Sequence, residues 1–206
     1  MSGQAIEGAP MTKAPESLQD LLDAMKPRDG DTRVYVRDVL KRVGGKSFPA
    51  VILVPCIVLV SPISGIPGTP TIGALIVFLC AIQALFGRRH LWLPDVLMRR
   101  SVSAERMQRA VDWLSRPAGW MDRHSAGRLK MLTAGPLKLV AYAAVALVAL
   151  SWPILELLPF VTSFGAGAVA MIMFGMMTRD GAYVVAGYVQ GSALYLILLS
   201  IWSGLI

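Results

Sequence analysis

Lysine and arginine are missing from every second link between the apolar runs of this chain, and that alternation restricts what it can fold into. Of twenty basic residues, eight lie between Lys13 and Lys46, eleven between Arg88 and Lys138, and the last is Arg179. Apolar runs occupy roughly 48–61, 71–87, 139–152, 158–177 and 182–206, and the links 62–70 and 153–157 carry neither Lys nor Arg. Positive charge confined to alternate links is the signature of a polytopic membrane protein whose basic loops stay in the cytoplasm. The apolar share of 55% exceeds the soluble norm of about 45–50%.

The fold class that follows is all-α, with about five membrane segments in two hairpin-like repeats, either spanning or re-entrant, and interfacial amphipathic helices on the cytoplasmic side. Residues 1–30 read as a polar cytoplasmic tail and 31–88 as a first repeat. Residues 89–136 read as a basic cytoplasmic stretch, and 137–206 as a second repeat plus a final transmembrane helix. The expected location is a bacterial inner (cytoplasmic) membrane, with the N-terminus cytoplasmic and the C-terminus periplasmic. An offset near 91 aligns Pro62 with Pro153 and Arg88 with Arg179, so both hairpins enter from the basic side. The acids Glu7, Glu16, Asp20 and Asp23 rule out a signal peptide over the polar first 47 residues.

Length makes the links informative. A helix needs about 20 residues to cross a ~30 Å hydrocarbon core. Residues 48–61 supply fourteen, with Pro49 and Pro55 inside, and 71–87 supply seventeen. The link SPISGIPGTPT, Ser61 to Thr71, is therefore expected at or below the outer interface. Irregular backbone is tolerated there only where protein or a water-lined cavity surrounds it. Proline has no N–H to leave unpaired and glycine permits close packing, which suits the half-helix binding sites of repeat-built transporters. An ordinary outer turn between two tilted helices is the other reading.

Polar groups at membrane depth form the candidate substrate or ion pathway. Ser64, Gly65, Pro67 and Thr71 come from the first tip, and Pro153 and Pro159 from the second. Glu156 is the only charge on the predicted outer side; an apolar setting is expected to raise its pKa and let it carry a proton, and an exposed loop acid is the alternative. Gln83 and Gln190 are placed to hydrogen-bond between helices. Arg88, Arg179 and Asp180 mark the inner ends of the hairpins, as stop signals or as a gate or grip on phosphate or carboxylate.

The polar regions read as helices too. Ser17 is positioned to cap SLQDLLDAM, and TRVYVRDVLKRVGGK places Val36, Val39, Leu40 and Val43 on one face, as in a helix lying on a membrane. Trp92, Trp113 and Trp120 suit the headgroup level. The expected partners are anionic inner-leaflet lipids, with a partner-binding surface as the alternative; basic residues without interleaved aromatics on a compact module exclude nucleic acid. Gly165 to Ala170 and Gly187-x-x-x-Gly191 offer small faces for close helix approach or a homodimer. Cys56 and Cys80 read as buried thiols, and Met171, Met173, Met176 and Met177 as gap fillers. His90 and His124 are isolated, no phosphate loop or nucleophile elbow occurs, and no catalytic residue, cofactor or metal site is expected.

Specific residues then carry a resemblance. VYVRDVLKRVGGKSF, SPISGIPGTPT, IQALFGRRHLWLP, LLPF and TRDG resemble the exopolysaccharide synthesis ExoD family of small bacterial inner-membrane proteins, over residues 31 to about 190. QALFGRRHLWLP is the most specific piece. The resemblance implies a link to exopolysaccharide production, with polysaccharide-synthesis proteins among the partners and no settled molecular activity. It also implies an Asn and a Pro after LPF, where this chain has VTSFGA. The function expected is a small transporter of ions, protons or an anionic lipid-linked or sugar species, or alternatively a non-transporting accessory or scaffold of the export machinery.

Overall fold

A computed structural model describes residues 17–28, 30–43, 48–61, 68–88, 91–156 and 161–204. Each of the five apolar runs is one helix: α3 (Phe48–Val60), α4 (Thr69–Leu85), α7 (Gly135–Leu155), α8 (Val161–Thr178) and α9 (Gly181–Gly204). The helices α7, α8 and α9 are long and apolar enough to cross a membrane, whereas α3 and α4 have 13 and 17 residues. At about 1.5 Å per residue α3 rises only roughly 20 Å. Leu147 and Ile154 of α7 are 70% and 74% exposed, and an apolar surface of that kind needs a covering that water does not provide.

Packing order follows from the small and large residues on facing sides. α3 lies between α4 and α8, α7 lies between the same two helices, and α9 packs along α8. Gly73 of α4 faces Leu59 of α3, where an added Cβ would sit 2.7 Å from Leu59 Cδ1; Gly165 of α8 faces Trp152 of α7 in the same manner, at 3.2 Å from Nε1. The interior of this four-helix arrangement is filled by Trp152, Tyr142, Phe174, Ile52, Leu53 and Met173, all fully buried. Cys56 and Cys80 are buried free thiols, and Met173 and Met176 are likewise buried.

The helix α7 runs past its expected end. Residues 153–157 read from sequence as a link, yet Pro153 lies inside the last turn of α7, which continues to Leu155. One proline withholds a single helical bond, here the one to the Ala149 carbonyl, and the remaining bonds carry the turn.

The polar segments build a platform. Its elements are α1 (Leu18–Met25), β1 (Arg33–Tyr35), α2 (Val36–Val43), α5 (Asp95–Met98), β2 (Ser101–Ser103) and α6 (Ala104–His124). Ser17 caps α1 as expected, accepting from Asp20 N at 3.0 Å while Asp20 accepts from Ser17 N at 3.2 Å. Residues 33–35, read from sequence as helical, are instead a strand, antiparallel to β2 with Val34 opposite Val102. β-branched Val34 and Val102 favour extended backbone, and the ladder ties the N-terminal segment to the central one. α2 then begins at Val36, whose N–H donates to the Arg100 carbonyl at 2.9 Å. Val39 and Val43 of α2 and Met107 and Val111 of α6 are buried within the protein. The apolar face of α2 is thus covered by neighbouring elements rather than left for lipid. Trp92, Trp113 and Trp120 remain more than half exposed.

Candidate functional site

The clearest juxtaposition of expected site residues is where α4 begins and α7 stops. α4 starts at Gly68, which takes a positive φ of 85° and has no side chain with which to cap the helix. Glu156, the residue ending α7, supplies the cap: its carboxylate accepts from the Gly68 N–H and from the Thr71 hydroxyl. Pro70, in the first turn of α4, removes a donor that would otherwise need a partner. A carboxylate at a helix N-terminus is favoured by the orphan N–H groups and the helix dipole. The Thr71 hydroxyl, with help from the Gly68 N–H, holds the Glu156 carboxyl below the usual carboxylate range, against a smaller opposing effect of burial. The sequence led us to expect the reverse, because apolar surroundings raise a carboxyl pKa; hydrogen bonding to the charged form outweighs desolvation at this partly exposed position.

Pro153 lies one turn away, inside α7. Ser64, Gly65, Pro67 and Pro159 lie outside the described residues, as do Arg89 and His90.

The opposite helix ends hold the other candidates, apart from the first group. α4 and α8 finish alike: Gly87 and Arg179 have φ of 66° and 56°, and the following N–H groups, of Arg88 and Asp180, donate to the carbonyls of Gln83 and Gly175 at 3.0 and 2.9 Å. These are glycine-type helix stops, one of them made by an arginine. Arg88 and Arg179 are exposed, while Asp180 is 1% exposed. Asp180 accepts from Ala182 N at 3.1 Å, capping α9, and from Ala126 N at 2.9 Å, holding the segment that follows α6. Gly181 N donates to the Arg128 carbonyl at 2.6 Å. A Cβ at Gly181 would meet Leu129 O at 2.4 Å, so TRDG is built for the close crossing of two backbones.

Gln83 is a latch. Its amide donates to the Leu79 and Trp92 carbonyls at 2.9 and 2.7 Å and accepts from Trp92 N at 2.8 Å. The sequence suggested a bond between helices; the amide instead pairs the chain leaving α4 back onto it, which explains Gln and Trp nine residues apart in QALFGRRHLW. Gln190 behaves as expected, donating from α9 to the Phe164 carbonyl of α8 at 2.9 Å. Gly187 lets α9 approach the Ala168 carbonyl, where a Cβ would come within 2.6 Å. The small faces of α8 and α9 are therefore used on each other.

Two groups had no sequence signal. Asp122, near the end of α6, accepts from Leu18 N and Gln19 N at 2.9 Å each and caps α1 from 104 residues away in the chain. Trp152 Nε1 is the buried side-chain nitrogen or oxygen that lacks a partner among the described residues. The buried polar side chains there are Ser61, Gln83, Thr162 and Asp180, and no group of three His, Cys, Asp or Glu able to hold a metal occurs among them. The expected pathway residues thus fall into separate clusters: Thr71 with Glu156, Gln83 with Arg88, Arg179 with Asp180, and Gln190 alone.

Protein ExoD of Rhizobium meliloti is 25% identical over 177 residues, which is 84% of this chain and 72% of that relative. No solved structure gives a significant match. Residues 18–200, which take in Asp122, the Gln83 latch, Glu156 and TRDG, match the family described as "Exopolysaccharide synthesis, ExoD", and the chain belongs to that family.

Proposed function

We propose that the chain is a multi-pass protein of the bacterial cytoplasmic membrane that serves exopolysaccharide synthesis as a non-enzymatic, non-transporting accessory or scaffold. In this reading the platform and N-terminus face the cytoplasm and the end of α9 faces the periplasm. α3–α4 and α7–α8 act as two copies of one hairpin, a reading supported by their exchanged packing, the paired Gly73–Leu59 and Gly165–Trp152 contacts, and the matching stops at Gly87 and Arg179.

The observation that carries the scaffold reading is the interior between the hairpins, which is filled by Trp152, Tyr142, Phe174 and their neighbours, with Glu156 engaged as a helix cap. A carrier needs a polar, hydrated route and a carboxylate free to exchange partners. A surface for partners is available on α6. Arg106, Arg109, Trp113, Arg116, Trp120 and Arg123 recur at spacings of three and four, all exposed, on the side away from buried Met107, Val111 and Ala118. Trp and Arg are the residues most enriched where binding energy concentrates.

A second reading, a small transporter of protons, ions or an anionic lipid-linked or sugar species, draws on the Trp152 N–H, which has no partner among the described residues and is a donor that a passing anion would use. One pair of variants separates the two. The scaffold reading expects exopolysaccharide output in a deletion strain to survive Glu156→Gln and to fall with the double charge reversal Arg116→Glu/Arg123→Glu, with both proteins at wild-type levels in the membrane. Liposome flux under a pH gradient that depends on Glu156 would instead establish transport.

A further inference from the structure

A narrow cleft with a volume of about 180 Å³ opens between the platform and the flank of the short helices α3 and α4. Its long wall climbs α3 through Val51, Val54 and Val58 and descends α4 through Ile72 and Ile76. From Val51 to Val58 that wall rises about 10 Å. At the platform end the cleft meets the β1–β2 ladder and Arg100, the only charged residue among the described residues of its lining, which include no acid. Arg100 is exposed, and among the described residues no carboxylate pairs with it.

We infer that this cleft binds one anionic glycerophospholipid, with an acyl chain along α3 and α4 and the phosphate at Arg100. The inference requires only that the apolar helices lie in a bilayer, and it does not depend on the scaffold reading. Three observations converge on this occupant. The cleft is apolar along its length, so in a bilayer its natural filling is a hydrocarbon chain. A cation stands at the end where the apolar helices meet the polar platform, which is the depth of lipid phosphates. The flanking helices are the two shorter apolar ones, of 13 and 17 residues, and a bilayer thins around short apolar segments. A chain held in the cleft brings a headgroup to the platform at that reduced depth.

A soluble anion lacks the chain that the valine and isoleucine wall asks for, and a zwitterionic lipid gains less from an unpaired guanidinium. The Arg100 fork matches phosphate oxygens in two-point geometry.

The test uses the whole chain in nanodiscs of equal phosphatidylglycerol and phosphatidylcholine, released into mild detergent and weighed by native mass spectrometry. One phosphatidylglycerol per chain is expected to be retained over phosphatidylcholine by about fivefold, the preference one basic residue confers at a membrane surface. Ile72→Trp and Val54→Trp, which fill the cleft, should abolish retention of either lipid. Arg100→Gln, an exposed change without side-chain partners to disturb, should keep a lipid and lose the preference. Equal retention of both lipids by the wild type, an unchanged preference in Arg100→Gln, or a lipid-free dimer as the stable species would each overturn the inference.

Discussion

Replacing Glu156 is the most direct test of how the two halves are joined. The side chain accepts two hydrogen bonds from α4, one from backbone and one from Thr71. A hydrogen bond to a charged group contributes about 1.5–3 kcal/mol, and a carboxylate at a helix N-terminus adds about 0.3–1 kcal/mol. Two such bonds and the dipole sum to about 3–7 kcal/mol for a buried group, and the partial exposure of Glu156 brings the total below that range. Glu156→Ala should therefore destabilise by about 2–3 kcal/mol, or roughly 5–10 °C in melting midpoint for a chain of this size. Glu156→Gln keeps one acceptor for Gly68 and offers its amide to the Thr71 oxygen, so it loses charge but not connectivity and should cost under about 1 kcal/mol.

The pH dependence has a definite sign. The folded carboxyl titrates below its unfolded value of 4.5. Its contribution is complete above that value and disappears as pH falls through the folded pKa. Melting of purified protein in mild detergent, followed by tryptophan fluorescence, should show a constant gap between wild type and Glu156→Gln from about pH 6 to 8. The gap should close only in acid below 4.5. A gap that changes near neutrality would mean a raised pKa and would refute the cap. So would a Thr71→Ala/Glu156→Ala double variant whose cost equals the sum of the singles, since groups in contact should couple.

The remaining predictions concern the ends where α4 and α8 stop. Gly181→Ala drives a Cβ into the Leu129 backbone oxygen, which no rotamer change relieves, so it should cost about 3 kcal/mol or more and remove folded protein from the membrane fraction. Asp180→Ala leaves the partly buried N–H groups of Ala126 and Ala182 without their acceptor and should cost about 1–2 kcal/mol, read as a lower melting midpoint and faster proteolysis after α6. Arg179→Gly relieves a left-handed non-glycine residue and should leave stability unchanged or raise it by up to ~1 kcal/mol; a simultaneous loss of exopolysaccharide output would assign Arg179 a role beyond stopping α8. Gln83→Leu preserves volume but strands the Trp92 N–H and carbonyl, and should cost about 2 kcal/mol together with rapid hydrogen exchange at Trp92.

The parts of this structure that were legible in advance are those set by local rules. Apolar run length located all five apolar helices, and helical periodicity placed Val39, Leu40 and Val43 on the buried side of α2. Ser17 announced the start of α1, because an N-cap is a local signal, and the structure adds Asp20 as its reciprocal partner. What sequence reading missed depends on partners far along the chain. Nothing local tells that Asp122 caps α1, that Arg33–Tyr35 pairs with Ser101–Ser103, or that α3 packs against α8. Glu156 is the instructive case. Its apolar neighbours in PILELLP suggested desolvation and a raised pKa, whereas the deciding groups, Gly68 and Thr71, are 88 and 85 residues away. Gln83 was recognisable as a polar residue needing partners, but the partner proved to be the chain's own exit and not another helix.

These acids share one task that bears on function. Asp122, Glu156 and Asp180 each satisfy N–H groups at a helix N-terminus, of α1, α4 and α9 respectively. Two of the three join elements distant in sequence, and Asp180 also holds the segment after α6. A transport carboxylate must release its partners to bind a proton or an ion, and each release here would uncover orphan donors at a helix end, with a penalty of about 1–3 kcal/mol per buried group. The acidic side chains at these helix ends are therefore committed to holding the assembly in one arrangement. The basic ones are different: Arg106, Arg116 and Arg123 are exposed and outside the ion pairs of the described residues. Fixed acids and free bases favour a rigid body that presents a cationic, tryptophan-bearing face over one that cycles between states. A chain restrained by a disulfide across α4 and α7 that still restored exopolysaccharide output would be the result this argument demands.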